Sequence, residues 1–194
     1  IEQCPALFLD RDGVLIKDCH YIRDPKDVII LEGASSLLAK FNSLSWRIVV
    51  ISNQSGISRG FFSWKDYEKV NLEMNRLISK NSKIDAIYAS GDSPSELNNT
   101  WRKPNPNMLL EAKKDLNINL TKSIIIGDRM TDLIAGQKAG LRLLIHVLTG
   151  HGKKERLQIL EHYSLSKPTR IDKPFLREIE NGHQKILFIN NLFE

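Results

Sequence analysis

Short apolar runs alternate with longer amphipathic segments along most of this chain. The runs cover 6–9, 47–52, 84–88, 123–126 and 141–147. Runs of this length suit buried strands, and the segments between them have the spacing of helices. Strands that alternate with helices are joined by crossovers, which makes neighbouring strands parallel. The pattern therefore predicts an α/β fold, a doubly wound (Rossmann-like) parallel sheet with helices on both faces.

The segments between the runs carry recognisable helix boundaries. Ser63 is a suitable N-cap residue, Pro106 suits a first turn, and Gly140 suits the end of a helix. The predicted helices cover 33–44, 64–80, 106–116, 131–139 and 154–162. The pattern weakens after Gly150, where we predict a further helix at 173–180 and an edge strand or packed tail at 186–189.

Length and composition limit the class of protein. The chain has 194 residues, which predicts a single domain over 1–194, with a core at about 5–150 and a C-terminal extension at about 151–194. No apolar run approaches the ~20 residues that span a bilayer, so we expect no membrane partner. The two cysteines, Cys4 and Cys19, make a poor disulfide framework and favour the reduced cytoplasm. We expect a monomer.

The charge balance alone leaves two classes of partner open. Net charge is +5 at pH 7, which is common both in nucleic-acid binders and in enzymes that act on phosphorylated metabolites. The lysines and arginines are scattered along the chain rather than clustered. Scattered charge is equally typical of an ordinary solvated surface, so the net charge by itself selects no partner. The partner we expect is a small phosphorylated metabolite rather than nucleic acid.

Polar side chains follow several of the predicted strands at the point where each strand ends. Asp10 and Asp12 follow the first run, Ser52 ends the second, and Asp128 follows the fourth. Lys103 comes between the third and the fourth. The carboxyl ends of parallel strands meet at one edge of a sheet, so we expect these side chains to converge.

This set of groups suits phosphoryl transfer. Asp10 could attack phosphorus as a carboxylate nucleophile, and Asp12 could protonate the leaving oxygen and then take a proton from water. Asp10 and Asp128 offer the hard oxygen ligands that Mg²⁺ prefers. Ser52 and Lys103 could hold the phosphate oxygens.

The motifs DRDGVL, SNQSGISRG, RKPNPNML and GDRMTD resemble those of the haloacid dehalogenase superfamily of phosphatases. Within it they are similar to the heptose bisphosphate phosphatases and the histidinol-phosphatases, over residues 6–150. The resemblance implies an Mg²⁺-dependent phosphomonoester hydrolase with a small loop-built cap and an aspartyl-phosphate intermediate. It implies a heptose bisphosphate as substrate, with histidinol phosphate or another metabolite as the alternative.

The resemblance also assigns roles to residues. The catalytic residues it implies are Asp10, Asp12, Ser52 and Lys103. The metal ligands it implies are Asp10, Asp128 and Asp12, the last through its main-chain carbonyl. The substrate-binding residues it implies are Asp18, Cys19, His20, Tyr21, Asn53, Gln54, Ser55, Arg102 and Arg129.

The sequence departs from the family pattern in two places. Heptose bisphosphate phosphatases usually hold zinc in a loop before the RKP motif, through three cysteines and a histidine. The equivalent segment, 89–101, contains neither residue type, so we predict no structural zinc and expect Trp101 to help hold the loop. Arg129 stands where these enzymes often have lysine, and its forked guanidinium suits a second anionic group on the substrate.

Several residues and functions keep two interpretations. Asp132 could orient the metal site or be a helix-start acid, and Arg59 could contact substrate or form a loop ion pair. His20 could contact substrate or be solvated. The remaining histidines are interpreted as structural: His146, His151, His162 and His183. A nucleic-acid 3′-phosphatase is a further alternative, and intact Asp10, Asp12, Lys103 and Asp128 argue against a non-catalytic binding protein.

Overall fold

Seven strands form one sheet in the computed structural model of the chain, which describes residues 2–78, 80, 82–98, 100–180 and 182–194. The order across the sheet is β3-β2-β1-β4-β5-β7-β6, and every neighbouring pair is parallel except β6 with β7. The strands are β1 (Ala6–Leu9), β2 (Arg47–Asn53), β3 (Ala86–Ser90), β4 (Ile124–Gly127), β5 (Leu143–His146), β6 (Phe175–Glu178) and β7 (Lys185–Phe188). The predicted doubly wound α/β fold is confirmed.

Helices follow the strands as the helical spacing predicts. The α-helices are α1 (Ala34–Ser43), α2 (Trp64–Leu77), α3 (Asn107–Leu116), α4 (Met130–Lys138) and α5 (Gly152–His162). Ser63 caps α2 in a capping box with Asp66, and Pro106 directly precedes α3. Helix α2 ends three residues earlier than predicted, at Leu77, and residue 79 lies outside the described residues. No helix in the described part of the chain is both long and apolar enough to cross a bilayer.

Alternate side chains of each central strand enter two separate apolar cores. On one face, Phe8 and Val49 pack in a cluster with residues of α3, α4 and α5. On the other face, Leu7 and Val50 pack in a cluster with residues of α1 and α2. A strand that is buried on both faces is apolar at nearly every position. The central strands can therefore be recognised in the sequence as continuous apolar runs.

The C-terminal part of the chain differs from its prediction. Segment 173–180 contains the strand β6 rather than a helix, and β7 lies between β5 and β6 rather than at the edge. Along β6 exposure alternates, and Phe175 stacks on Phe188 with ring centroids 4.6 Å apart. Four residues are too few for their own periodicity to separate a strand from a helix, so the pairing with β7 decides the conformation.

Candidate active site

A cavity of about 280 Å³ opens at the edge of the sheet where β1, β2 and β4 end. Its walls come from the segments after these strands, from the loop before α3 and from the start of α5. The lining residues are Asp10, Asp12, Asp18, His20, Tyr21, Asn53, Gln54, Ser55, Arg59, Pro94, Arg102, Lys103, Arg129, Thr131, Asp132 and His151. Most of the residues predicted for the site therefore meet in one cavity, as the topology of a parallel sheet predicts.

A buried lysine forms ion pairs with two carboxylates at the floor of this cavity. Lys103 Nζ lies 2.6 Å from Asp132 Oδ1 and 3.2 Å from Asp10 Oδ1, and it donates to the carbonyl of Ile51 at 2.9 Å. Its main chain is held as well, since Lys103 N–H donates to Asn53 Oδ1 and Asn53 Nδ2 donates to the Lys103 carbonyl. The ammonium group is therefore fixed in place beside the predicted nucleophile.

Three buried carboxylates form a candidate metal site. One oxygen from each of Asp10, Asp128 and Asp132 lies within 4.8 Å of the others. Asp128 Oδ2 accepts a hydrogen bond from His151 N–H at 2.7 Å, whereas buried Asp128 Oδ1 has no hydrogen-bond partner among the described residues. A buried carboxylate oxygen without a partner is costly, and a bound cation would satisfy it.

Two glycines let the chain pass close to Asp128. A methyl group on Gly13 would lie 2.6 Å from Asp128 Oδ2, and one on Gly150 would overlap the same atom. Both glycines also have positive φ, +87° and +56°, which residues with side chains rarely adopt. The Asp128 carboxylate is thus packed under main chain from two separate loops, and its donor set of hard oxygens fits Mg²⁺.

The electrostatics of the cluster show a shortage of positive charge. Burial raises the pKa of Asp10 from its ordinary 3.8 to about 7, despite the opposing effect of Lys103. Burial also raises the pKa of Asp128 to about 9, and the charges of Asp10 and Asp132 add to this effect. Burial alone would lower the pKa of Lys103, but the two carboxylates beside it outweigh burial and raise that pKa. A divalent cation would reverse the carboxylate shifts.

Asp132 makes the contact of a helix-start acid and also lies in the acidic cluster, where a role in orienting a metal stays a prediction. Its Oδ2 accepts a hydrogen bond from Arg129 N–H at 3.0 Å, which is the capping contact expected of an acid in the first turn of α4. Its Oδ1 pairs with Lys103 inside the acidic cluster. Sequence position alone indicated only the first contact, because the second joins segments 29 residues apart.

The side chain of Asp12 takes a different direction from the three clustered carboxylates. Asp12 Oδ1 accepts from Arg11 Nε at 3.1 Å, and Asp12 Oδ2 accepts from Arg11 Nη2 at 3.2 Å and from Gln54 Nε2 at 2.7 Å. Asp12 lines the cavity without joining the three clustered carboxylates. Asp12 is therefore separate from the candidate metal site, and its part in proton transfer stays a prediction.

Ser52 and Gln54 form a connected pair beneath the cavity. The Ser52 side chain is buried, and its hydroxyl accepts a hydrogen bond from Gln54 Nε2 at 2.6 Å. Gln54 lines the cavity, whereas Ser52 is absent from the lining. Contact between Ser52 and a phosphate group stays a prediction.

The loop after β1 supplies one wall of the cavity. Asp18 Oδ1 accepts from His20 N–H at 2.9 Å, and His20 and Tyr21 both have positive φ. Cys19 is exposed outside the cavity, where its thiol donates to the Asp27 carbonyl. Asp18 Oδ2 lies 3.0 Å from His151 Nε2. His151, which we interpreted as structural from its spacing, thus joins the cavity wall.

Three arginines face each other across the cavity rim. Burial lowers the pKa of Arg102, and the nearby positive charges of Arg129 and Arg59 lower it further. Arg59 Nη1 donates to the Tyr21 hydroxyl at 3.1 Å, and Arg102 Nη1 donates to the Asp92 carbonyl at 3.0 Å. Mutually repelling cations around a cavity make a site for an anion. Arg59, which the sequence left with two interpretations, lies in this rim.

Loop 89–101 is held by its own side chains and main chain. Trp101 Nε1 donates to the Ala89 carbonyl at 3.1 Å, and its ring packs against Tyr88 with centroids 6.3 Å apart. Ser58 N–H donates to the Gly91 carbonyl at 3.2 Å and joins the loop to the segment after β2. The predicted inward packing of Trp101 is confirmed; residue 99 lies outside the described residues.

The chain is similar to known hydrolases in both sequence and structure. A family model described as HAD-hydrolase-like matches residues 100–171. A Helicobacter pylori protein named D-glycero-beta-D-manno-heptose-1,7-bisphosphate 7-phosphatase is 37% identical over 139 residues, covering 71% of this chain and 80% of that protein. A Mesorhizobium japonicum protein of the same name is 38% identical over 144 residues, covering 71% of this chain and 66% of its own length.

A solved structure extends the similarity over nearly the whole chain. The D,D-heptose 1,7-bisphosphate phosphatase of B. bronchiseptica, crystallised with magnesium and phosphate, superposes with a TM-score of 0.77 at 25% identity. The match covers 97% of this chain and 93% of that one. The chain therefore belongs to the haloacid dehalogenase-like hydrolase superfamily. The relatives named above are phosphatases that act on heptose bisphosphates, and this chain is a phosphatase.

Proposed function

We propose that this phosphatase removes the 7-phosphate of D-glycero-D-manno-heptose 1,7-bisphosphate, through an aspartyl-phosphate on Asp10 and with Mg²⁺ as its cofactor. The observation that carries the proposal is the placement of Lys103 against Asp10 at the floor of a cavity whose rim holds three arginines. A bisphosphate needs one cationic site for each of its two phosphate groups. The names of the similar proteins support this substrate.

The first half of the reaction transfers the phosphoryl group to the enzyme. A carboxylate oxygen of Asp10 attacks phosphorus, and the bond between phosphorus and the C7 oxygen breaks. A protonated Asp12 gives its proton to the departing oxygen, so that the sugar leaves as an alcohol. Lys103 stays beside Asp10 throughout and stabilises negative charge on the transferring group.

The second half returns Asp10 to its starting state. Water attacks phosphorus, the bond between phosphorus and Asp10 breaks, and inorganic phosphate leaves. Asp12, now ionised, takes the proton of the attacking water. Its two oxygens accept hydrogen bonds from Arg11 and Gln54, which hold the carboxylate at the wall of the cavity.

The residues that would hold Mg²⁺ are Asp10 and Asp128, with Asp132 completing the acidic cluster. Asp128 Oδ1 supports this assignment. It is buried without a hydrogen-bond partner among the described residues, and a bound cation would supply the missing interaction. Bound Mg²⁺ would neutralise the cluster and offset charge on the transferring phosphoryl group.

The arginine rim would hold the phosphate that is not cleaved. Arg59, Arg102 and Arg129 lie around the same cavity as Asp10, and each guanidinium can bind two phosphate oxygens. The names of relatives include both the beta and the alpha anomer of the substrate. The choice of anomer therefore depends on contacts that the rim makes with C1.

The test is phosphate release from both heptose bisphosphate anomers and from histidinol phosphate, each measured with added Mg²⁺. We expect kcat/KM for at least one heptose anomer to exceed that for histidinol phosphate by about 100-fold, since a second cationic site discriminates strongly in favour of a substrate with two phosphate groups. Asp10→Asn should remain folded by circular dichroism and lose turnover by ~10⁴-fold or more. Equal activity on histidinol phosphate would contradict the proposed substrate. An active Asp10→Asn variant would contradict the assignment of Asp10 as the nucleophile.

A further inference from the structure

Arg11, the residue between the two aspartates of the DRDG motif, has a buried side chain that does not line the cavity. It is fully buried, although arginine is among the residue types that are almost never buried without a partner. Its main-chain carbonyl accepts from Leu15 N–H at 3.0 Å and Ile16 N–H at 3.1 Å and so holds the turn after β1. The turn therefore accounts for the main-chain contacts of Arg11, but it does not account for the burial of its guanidinium.

The guanidinium of Arg11 contacts the carboxylate of the following residue, Asp12. Arg11 Nε and Nη2 contact the two different oxygens of Asp12, at 3.1 Å and 3.2 Å. Two parallel hydrogen bonds fix the plane of a carboxylate, which a single bond leaves free to rotate. Of the described residues, Gln54 makes the other side-chain contact to Asp12, at 2.7 Å.

Helix α2 in turn fixes the guanidinium. Arg11 Nη1 donates to Asn71 Oδ1 at 2.9 Å, and the ring of Tyr67 lies 4.6 Å from the guanidinium carbon in a cation–π contact. Tyr67 and Asn71 are one helical turn apart on the same face of α2. A helix that does not line the cavity thereby reaches the cavity through Arg11.

The geometry points to Arg11, anchored by Asn71 and Tyr67, as a positioning residue that holds the Asp12 carboxylate in the orientation required to take a proton from water. This inference rests on the proposed function, in which Asp12 acts as the base in the second half of the reaction. Arg11 does not line the cavity, and its contact with Asp10 is made by the main chain, whose N–H donates to Asp10 Oδ1 at 2.9 Å. The guanidinium, which a substitution would change, therefore acts through Asp12. Loss of Arg11 should slow hydrolysis of the aspartyl-phosphate more than its formation.

The two halves can be separated with p-nitrophenyl phosphate as the probe. Its leaving group departs without a proton, so the first half needs no acid, whereas the second half still needs the base. With Arg11→Met we expect a burst approaching one nitrophenolate per chain, then a steady state slower by about 100-fold. The quenched chain should gain the mass of one phosphoryl group. Arg11→Lys, which keeps the charge but loses the fork, should recover part of the rate.

Asn71→Ala keeps the inference testable if burial makes Arg11→Met fail to fold. It removes the acceptor of Arg11 Nη1 but keeps the guanidinium and its two hydrogen bonds to Asp12, and it should slow the steady state in the same way, by up to about tenfold. Arg76→Met is the matched control, because Arg76 lies on the same helix and its side chain is exposed and paired with Glu73. This control should behave like the wild type.

Asp12→Asn separates failure of the inference from failure of the proposed function. If Asp12→Asn shows no burst and no phosphorylated chain, the proposed function fails. If Asp12→Asn accumulates the phosphorylated chain while Arg11→Lys and Asn71→Ala turn over like the wild type, Arg11 is not a positioning residue. A uniform loss of both phases in the Arg11 variants would also overturn the inference.

Discussion

Lys103 Nζ lies 2.6 Å from Asp132 Oδ1, and this buried ion pair joins the loop before α3 to the first turn of α4. Both side chains are almost completely buried. The same ammonium group reaches Asp10, so the pair positions a lysine that lines the cavity. An ion pair in this setting organises a site more than it stabilises the fold, because burying both charges is costly.

Replacement of Lys103 by methionine should therefore cost stability as well as activity. It would leave the acidic cluster without its lysine, and breaking a buried pair on one side costs ~3 kcal/mol or more of unfolding free energy. Urea unfolding at pH 7 without metal measures this loss, and added Mg²⁺ should recover part of it. Lys113→Met, at an exposed position on α3, is the control and should change the free energy by less than ~0.5 kcal/mol.

Metal-free stability should fall as pH rises above neutral. The pKa of Asp10 rises to about 7 and that of Asp128 to about 9, from an ordinary 3.8. Because the folded protein holds these protons more tightly than the unfolded chain, their contribution is complete below pH 3.8 and is lost progressively above it, by about pH 7 for Asp10 and by about pH 9 for Asp128. Thermal melting from pH 5 to 9 measures the slope, which should become shallower above pH 7.

Added Mg²⁺ should oppose that fall, since it binds the ionised carboxylates of the folded state. The rise in Tm on adding Mg²⁺ should be larger at pH 8.5 than at pH 6. Asp128→Asn should reduce both the pH slope and the effect of Mg²⁺. An equal Mg²⁺ effect at the two pH values would contradict the assignment of the cluster as the metal site.

His146 should make the protein less stable in acid. Burial, together with the nearby positive charge of Arg156, lowers the pKa of this histidine to about 3. Its ring accepts a hydrogen bond from Arg156 Nε at 3.1 Å, and its Nε2 lies 3.0 Å from the Asp128 carbonyl. The unfolded chain binds the proton first, so stability is complete above pH 6.5 and is lost as pH falls toward 3, at ~1.4 kcal/mol per pKa unit at most.

His146→Gln removes the titration while it keeps a donor and an acceptor. Urea unfolding between pH 6.5 and 4 should give a shallower pH slope for this variant than for the wild type. His162→Gln, at an exposed position on α5, should leave the slope unchanged. If stability has the same pH dependence in all three proteins, the pKa of His146 does not differ between the folded and unfolded states, and the prediction is wrong.

Activity should depend on magnesium and be independent of zinc. Segment 89–101 contains no cysteine and no histidine, and Trp101 and Arg102 hold it by hydrogen bonds to main-chain carbonyls. Exhaustive treatment with a chelator should abolish turnover, and Mg²⁺ alone should restore it. Elemental analysis of the purified protein should find far less than one zinc per chain; a stoichiometric zinc ion would contradict the prediction.

Local patterns predicted the strands and helices of residues 6–147 to within a few residues, because the central strands β1, β2 and β4 are largely buried on both faces. They failed at 173–180, where exposure alternates along only four residues and pairing with β7 decides the conformation. Phe175 becomes part of a strand because it stacks on Phe188, from a segment that the sequence does not place beside it.

What the sequence determined by itself was which groups stand at the strand ends, and hence that Asp10, Asp12 and Asp128 meet at one edge of a parallel sheet. Only the tertiary structure decided which way each side chain turns: Asp132 toward Lys103, Asp12 toward Arg11, and His151 toward Asp18. The physical reason is the distance along the chain over which each interaction acts. Strand and helix patterns follow from burial and spacing along a few residues, whereas these partners, apart from Arg11 and Asp12, are brought together from distant segments by packing.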